Sequence, residues 1–245
     1  DQEELIKKYS EKDQKKLFVL KPLYQRSLIV AAGPIANFIL AVFIFLFIYM
    51  FVGKDFTPAA IDKVQKDSPA YISGFKKNDI ILEIEGSKVR SILDVSKLIT
   101  MSTSEIIDFK VLRYDQEILL KVKPNIAESV DNLGNKIKKR MIGIQLSPYK
   151  NKINHVKLGP AKALFYSLNE VYFVTVSSLK YLGSMIVGKG DTSQLGGPIR
   201  IAKITGQVAE IGIIPFLSIM AYISISLGLI NLFPIPLLDG GHLLF

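Results

Sequence analysis

The run SLIVAAGPIANFILAVFIFLFIYMFV, residues 27–52, carries no charged side chain. About 20 apolar residues are enough to cross a bilayer as a helix, and this run is longer than that. Tyr49 near its end suits an interfacial position, and the basic residues before Ser27, among them Lys15, Lys16, Lys21 and Arg26, predict a cytoplasmic N-terminal side. Residues 1–26 therefore read as a cytoplasmic loop and residues 27–52 as a transmembrane helix. Working outward, residues 211–238 are also uncharged and apolar enough to span. Residues 158–187 are long enough too, but Lys162, Glu170 and Lys180 interrupt them. Each charge at the bilayer centre costs about 2.5–3.5 kcal/mol on insertion scales. One or two amphipathic helices lying on the membrane surface are the better expectation there, giving a surface-helix and linker region over 158–210.

Composition agrees with a membrane protein that carries a soluble part. The chain has 245 residues, room for one or two compact units, with 49% hydrophobic residues. Its net charge of +9 admits either nucleic acid or a membrane-facing basic surface. No nucleic-acid-binding signature is present and the lysines are dispersed, so the lipid bilayer is the expected partner and nucleic acid is not. The absence of cysteine excludes disulfides and thiolate metal sites. The first residue is Asp1 and the last, Phe245, falls inside an apolar run, so a longer parent chain is expected.

Residues 57–147 read as a small α+β domain. Ile61 to Val64 and Ile80 to Ile84 are short β-type runs, and Ser68-Pro69-Ala70 starts a short helix that Gly74 stops. Glu85-Gly86 is a turn, residues 89–100 have helical spacing, and residues 107–112 and 118–122 pair around Tyr114-Asp115. Residues 126–140 are polar and predict an exposed linker, and Met141-Ile142-Gly143-Ile144 predicts a last strand.

The end of the chain, INLFPIPLLDGGHLLF from residue 230, is no ordinary span. Pro234 and Pro236 each remove a backbone donor, and Gly240-Gly241 loosens the residues after it. Broken backbone at membrane depth persists only inside protein or beside a wet cavity. Asp239 at that depth needs a cation, a metal or water, and a carboxylate is a competent zinc ligand; an interfacial helix cap is the alternative.

These residues carry a family resemblance. NLFPIPLLDGGH, residues 231–242, resembles the second signature of the site-2 protease family, most closely its bacterial regulator-of-sigma-E protease branch. Gly33-Pro34-Ile35-Ala36-Asn37 is similar to the motif opening that family's second span, and residues 195–202 are similar to the stretch before its third. The resemblance implies a membrane α-helical protein with helical transmembrane spans and an inserted α+β PDZ-like domain on the extracytoplasmic side. Ser68-Pro69-Ala70, Gly74-Phe75 and Asn78-Asp79-Ile80-Ile81 resemble bacterial PDZ motifs, with Asn78 where Gly is usual. Residues 140–144 resemble the carboxylate-binding loop, placed last as in circularly permuted PDZ domains. Met141, Ile142, Gly143 and Ile144 would then take a peptide C-terminus through backbone N–H groups and an added strand; a closed spacer or size filter is the alternative.

The resemblance further implies a zinc-dependent endopeptidase of the bacterial inner membrane. It would cut transmembrane segments of membrane proteins, such as anti-sigma factors or signal-peptide remnants, in regulated intramembrane proteolysis. Zn2+ would be held by Asp239 in residues 211–245. Asn231, Pro234 and Pro236 would hold the unwound substrate, and Asn37 would either do the same or pin two helices together. The family's first span carries a His-Glu-x-x-His motif, which this sequence lacks. No catalytic residue is assigned, and the chain alone is expected to be inactive. His242 is expected to be structural and His155 solvated. If residues 158–187 stay on the surface, Asn37 and Asp239 both lie toward the cytoplasm and can flank one site. The rival is a non-catalytic, membrane-anchored PDZ adaptor, which leaves the clustered Pro, Asp and Gly without a reason.

Overall fold

The computed structural model describes residues 9, 17, 20–130, 136–187 and 197–233. The chain divides into two units, Asp1–Phe45 with Leu217–Phe245, and Leu46–Phe216.

The first unit is a helix pair. Helix α1 runs over Leu23–Phe47 and continues as a π-helical turn, Ile48–Val52. The last helix, α6, spans Ile213–Leu232. These are the two helices among the described residues that are long and apolar enough to cross a membrane. They meet through small residues. On α6 the buried side is Ala221, Ser224, Ile225, Gly228 and Leu229, spaced at three and four residues. On α1 it is Pro34, Ala41 and Phe45. A Cβ on Gly228 would stand 3.1 Å from the Pro34 carbonyl oxygen and 3.2 Å from Asn37 Cβ, so glycine sets the backbone separation. Ser224 Oγ donates to the Asn37 carbonyl at 2.8 Å, and the Phe45 and Tyr222 rings meet edge to face at 5.4 Å.

The second unit holds a six-stranded antiparallel sheet. Its strands are β2 (Ala59–Val64), β3 (Ile80–Ile84), β4 (Ser87–Lys88), β5 (Ile107–Arg113), β6 (Gln116–Val122) and β9 (Ile144–Pro148), ordered β6-β5-β3-β2-β9, with β4 also on β3. The turns are set by local chemistry. Glu85 and Gly86, and likewise Tyr114 and Asp115, all have positive φ, the requirement of a two-residue hairpin turn that matches strand twist. Helix α2 (Pro69–Ile72) is capped by Ser68, whose Oγ accepts from the Tyr71 N–H. Helix α3 (Ile92–Met101) opens with a reciprocal capping box between Ser91 and Asp94. Its inner face, Val95 and Ile99, joins Ile61, Ile81, Ile84, Phe109 and Val111 in the core, with Phe75 against Phe109 edge to face at 5.3 Å.

A short ladder joins the domain's two ends. Strand β1 (Lys54–Asp55) pairs with β10 (His155–Val156). The Phe56 N–H donates to the Asn154 carbonyl at 2.7 Å, and Leu158 N–H donates to the Tyr49 carbonyl at 3.0 Å. Gly53, at φ 113, permits the approach: a Cβ there would lie 2.9 Å from the Val156 carbonyl oxygen. The chain leaves this ladder into helix α4 (Pro160–Ile186), one continuous helix of 27 residues, and then α5 (Pro198–Ile211).

Two expectations change. Residues 126–140 do not form a bare linker: β7 (Asn125–Val130) and β8 (Lys136–Met141) pair as a separate antiparallel ribbon. The last strand of the sheet is Ile144–Pro148 rather than residues 141–144, because the chain turns at Gly143, φ 81, after Met141 has ended the ribbon. The sheet and its ladder therefore reach beyond residues 57–147, from Lys54 to Val156.

Candidate functional site

Two places gather the residues singled out from the sequence. The first is the helix pair. Asn37 sits at the α1–α6 contact, where its backbone carbonyl takes the Ser224 hydroxyl and its Cβ packs toward Gly228. Asn231 lies in the last turn of α6, which ends at Leu232, so the proline run begins where the helix stops. Pro234, Pro236, Asp239 and His242 lie outside the described residues. Among the described residues, no three His, Cys, Asp or Glu side chains converge as metal ligands. His155 stands in β10, paired opposite Asp55. Asp239 carries a carboxylate, a donor type that fits zinc.

The second place is a groove of about 160 Å³ between β9 and α3, lined by Val95, Ile99, Met141, Ile142, Gly143 and Ile144 among others. Strand β9 ends the sheet, so its outer edge has no strand partner among the described residues. The loop at the groove's end is fixed by its carbonyls. Ile142 O accepts from the Ala70 N–H at 2.9 Å, and Gly143 O accepts from the Gln65 N–H at 2.9 Å. Neither the Ile142 nor the Gly143 N–H has an acceptor among the described residues. Gly143 is required twice over: φ is 81, and a Cβ would lie 2.3 Å from Ser68 Cβ. Arg140 is committed elsewhere. Its guanidinium donates to the Ser102 and Ser104 carbonyls after α3, and burial pushes its pKa below the usual arginine range.

Two features of the structure were not foreseen in the sequence. One is the role of Ser224 and Gly228, although small residues three to four apart in an apolar helix are the available signal. The other is a buried ion pair. Arg113 Nε and Nη2 donate to the two Asp79 carboxylate oxygens at 2.7 Å each, and that hydrogen bonding raises the Arg113 pKa.

Comparison with known proteins gives this arrangement its family. The chain is 35% identical over 223 residues to a protein of Agrobacterium fabrum named "Putative zinc metalloprotease", covering 91% of this chain and 59% of that one. It is 31% identical over 240 residues to the metalloprotease MmpA of Caulobacter vibrioides, covering 92% of this chain and 60% of the relative. The chain thus spans about three-fifths of the length of these relatives. A PDZ domain of an SdrC-like protein from Listeria monocytogenes aligns at 21% identity over 37% of this chain and 87% of its own, with a TM-score of 0.30. A likeness at that score carries no weight, and the groove rests on its own geometry. Residues 5–245 match peptidase family M50, and the chain is a member of that family, the site-2 proteases.

Proposed function

We propose that this chain forms the greater part of a zinc-dependent endopeptidase that cuts transmembrane segments of membrane proteins in the bacterial inner membrane. The observation that carries the reading is the α1–α6 pair leading directly into the proline–aspartate motif. Ile35, Ile39 and Phe43 of α1 and Leu227 and Ile230 of α6 are exposed, the apolar outer surface that a lipid-facing helix presents.

In this reading Asp239 contributes one oxygen ligand, and the others come from the His-Glu-x-x-His segment that the family resemblance implies. Zinc, when bound, supplies Lewis-acid polarisation of the scissile carbonyl. A substrate helix hides its carbonyls in internal hydrogen bonds, so it must be unwound before it can be cut. The amide of Asn231 and the donor-poor stretch at Pro234 and Pro236 would hold the extended strand. Asn37 lies at the α1–α6 contact through its backbone carbonyl, and its side-chain amide would either hold the unwound substrate or pin the two helices together. The groove at Met141, Ile142, Gly143 and Ile144 would take the new C-terminus of a substrate clipped outside the membrane, with its carboxylate at the loop N–H groups and its strand along β9. Anti-sigma factors and signal-peptide remnants are substrates of that kind.

The test is zinc content and cleavage of a single-span substrate by the full-length product, beside Asp239→Ala. Zinc and cleavage, both reduced by the substitution, are expected. Stable protein with neither would favour the membrane-anchored adaptor, since the groove alone would then explain the domain.

A further inference from the structure

A second cleft in the Leu46–Phe216 unit, of about 290 Å³, lies between α3 and α4. Four cations line it, Lys54, Lys88, Arg90 and Lys97, against two carboxylates, Asp94 and Glu170. Both carboxylates are committed. Asp94 Oδ2 accepts from the Arg90 and Ser91 N–H groups at 2.9 and 3.1 Å, closing the α3 cap. Glu170 forms an ion pair with Lys97. Among the described residues, Lys54, Lys88 and Arg90 enter no ion pair. Aromatic faces hold two of them in place: Lys54 Nζ lies 4.8 Å from the Tyr49 ring centre and 5.9 Å from that of Tyr166, and the Arg90 guanidinium lies 4.9 Å from Tyr166. Burial lowers the Lys54 pKa, against the opposing pull of Glu170 and Asp94. Four cations against two carboxylates leave the cleft two positive charges in excess, and an anion would complete it.

We propose that this cleft binds the phosphate of an anionic phospholipid headgroup through Lys54, Lys88 and Arg90. The shared chemistry is a phosphate, and α4 favours the lipid as its source. Ala163, Ser167, Val171, Val174 and Ser177 form the buried face of that helix. Leu164, Phe165, Leu168, Tyr172 and Leu179 remain exposed beside it, and Phe165 and Tyr172, 59% and 69% exposed, also line the cleft. A helix with such a stripe lies in the interfacial layer, which places the cations at headgroup depth and the stripe against acyl chains. The site rests on the membrane reading proposed above and is independent of zinc or cleavage.

The full-length protein in neutral detergent is offered phosphatidylglycerol, phosphatidylcholine or inorganic phosphate, and retained ligand is read by native mass spectrometry. Phosphatidylglycerol should be held at least about tenfold more tightly than phosphatidylcholine, and K54Q/R90Q should abolish that preference, since each cation near an anionic surface contributes about 1 kcal/mol. Lys88→Gln, at an exposed position, should weaken the preference by about fivefold and serves if the double variant does not fold. Equal retention of the two lipids, or variants that retain the preference, would overturn the site. Inorganic phosphate competing as well as the lipid would overturn the lipid as ligand. Leu168→Trp in vesicles with brominated acyl chains separates the two failures. Quenching without headgroup preference sinks the cleft alone, whereas no quenching removes α4 from the membrane and the lipid proposal with it.

Discussion

Asp79 is fully buried, and its carboxylate takes two Arg113 donors at 2.7 Å and the Lys76 N–H at 2.8 Å. Arg113 also reaches the Gly74 carbonyl at 2.7 Å, so one guanidinium ties β5 to both ends of the turn before β3. Removing the guanidinium leaves the fully buried Asp79 carboxylate without its ion-pair partner, so Arg113→Ala should destabilise the domain by about 3–5 kcal/mol. Faster amide exchange in Ile80–Ile84, or a lower thermal midpoint of the purified protein, would measure it. The neighbouring Asn78 departs from the glycine usual there, and its φ of 71 supplies the reason either residue serves: the backbone is left-handed, which Asn tolerates best after Gly. Gly143 has no such latitude. Gly143→Ala should push the loop away from Ser68 and lose peptide binding at the groove, with free C-terminal peptides and their amides binding equally weakly. If the variant still distinguishes a free carboxylate from an amide, the loop N–H groups are not the anchor.

The elements divide by how much local chemistry each one carries. The turns at Glu85-Gly86 and Tyr114-Asp115, the Ser68 and Ser91 caps, and the core spacing of α3 are all readable, because each is fixed by residues within a few positions of one another. The β7–β8 ribbon was not readable: NIAESV and KIKKRM stand apart from the main sheet and need no alternating buried face. The α3–α4 cleft was unreadable for another reason. Lys54, Arg90 and Tyr166 converge only because the β1–β10 ladder brings the start of α4 back to the end of α1. At the candidate metal site, Asp239 and its prolines lie outside the described residues, and the α1–α6 contact was not legible, because it rests on Ser224 and Gly228 meeting residues far away in the chain. Gly228→Leu would drive a side chain into the Pro34 carbonyl and the Phe38 ring, so it should separate the helices. Cross-linking between cysteines placed at Ala41 and Ile225, buried residues of α1 and α6, should fall several-fold in that variant and only slightly in Gly228→Ala. Equal cross-linking in both variants would mean that glycine does not set the packing.

At the scale of the whole molecule, the proposed site depends on the number of times the chain crosses the membrane. Asn37 and Asp239 can share one site only if α1 and α6 cross in opposite senses and nothing crosses between them. Helix α4 is the element that decides this, since its 27 residues are long enough to span. Lys162, Glu170 and Lys180 argue against a span, and Glu170 pairs with Lys97 of α3. The absence of cysteine allows a direct test with single substitutions at exposed positions on either side of α4. Tyr114→Cys, at a residue 92% exposed in the β5–β6 turn, and Ile199→Cys, at one 77% exposed in α5, should both react with an impermeant maleimide added to intact spheroplasts. Leu23→Cys, at a residue 71% exposed at the start of α1, should react only after permeabilisation. If Ile199→Cys is instead protected together with Leu23→Cys, α4 crosses the bilayer. Asp239 would then be carried to the face opposite Asn37, and one protease site built from both helices would be impossible.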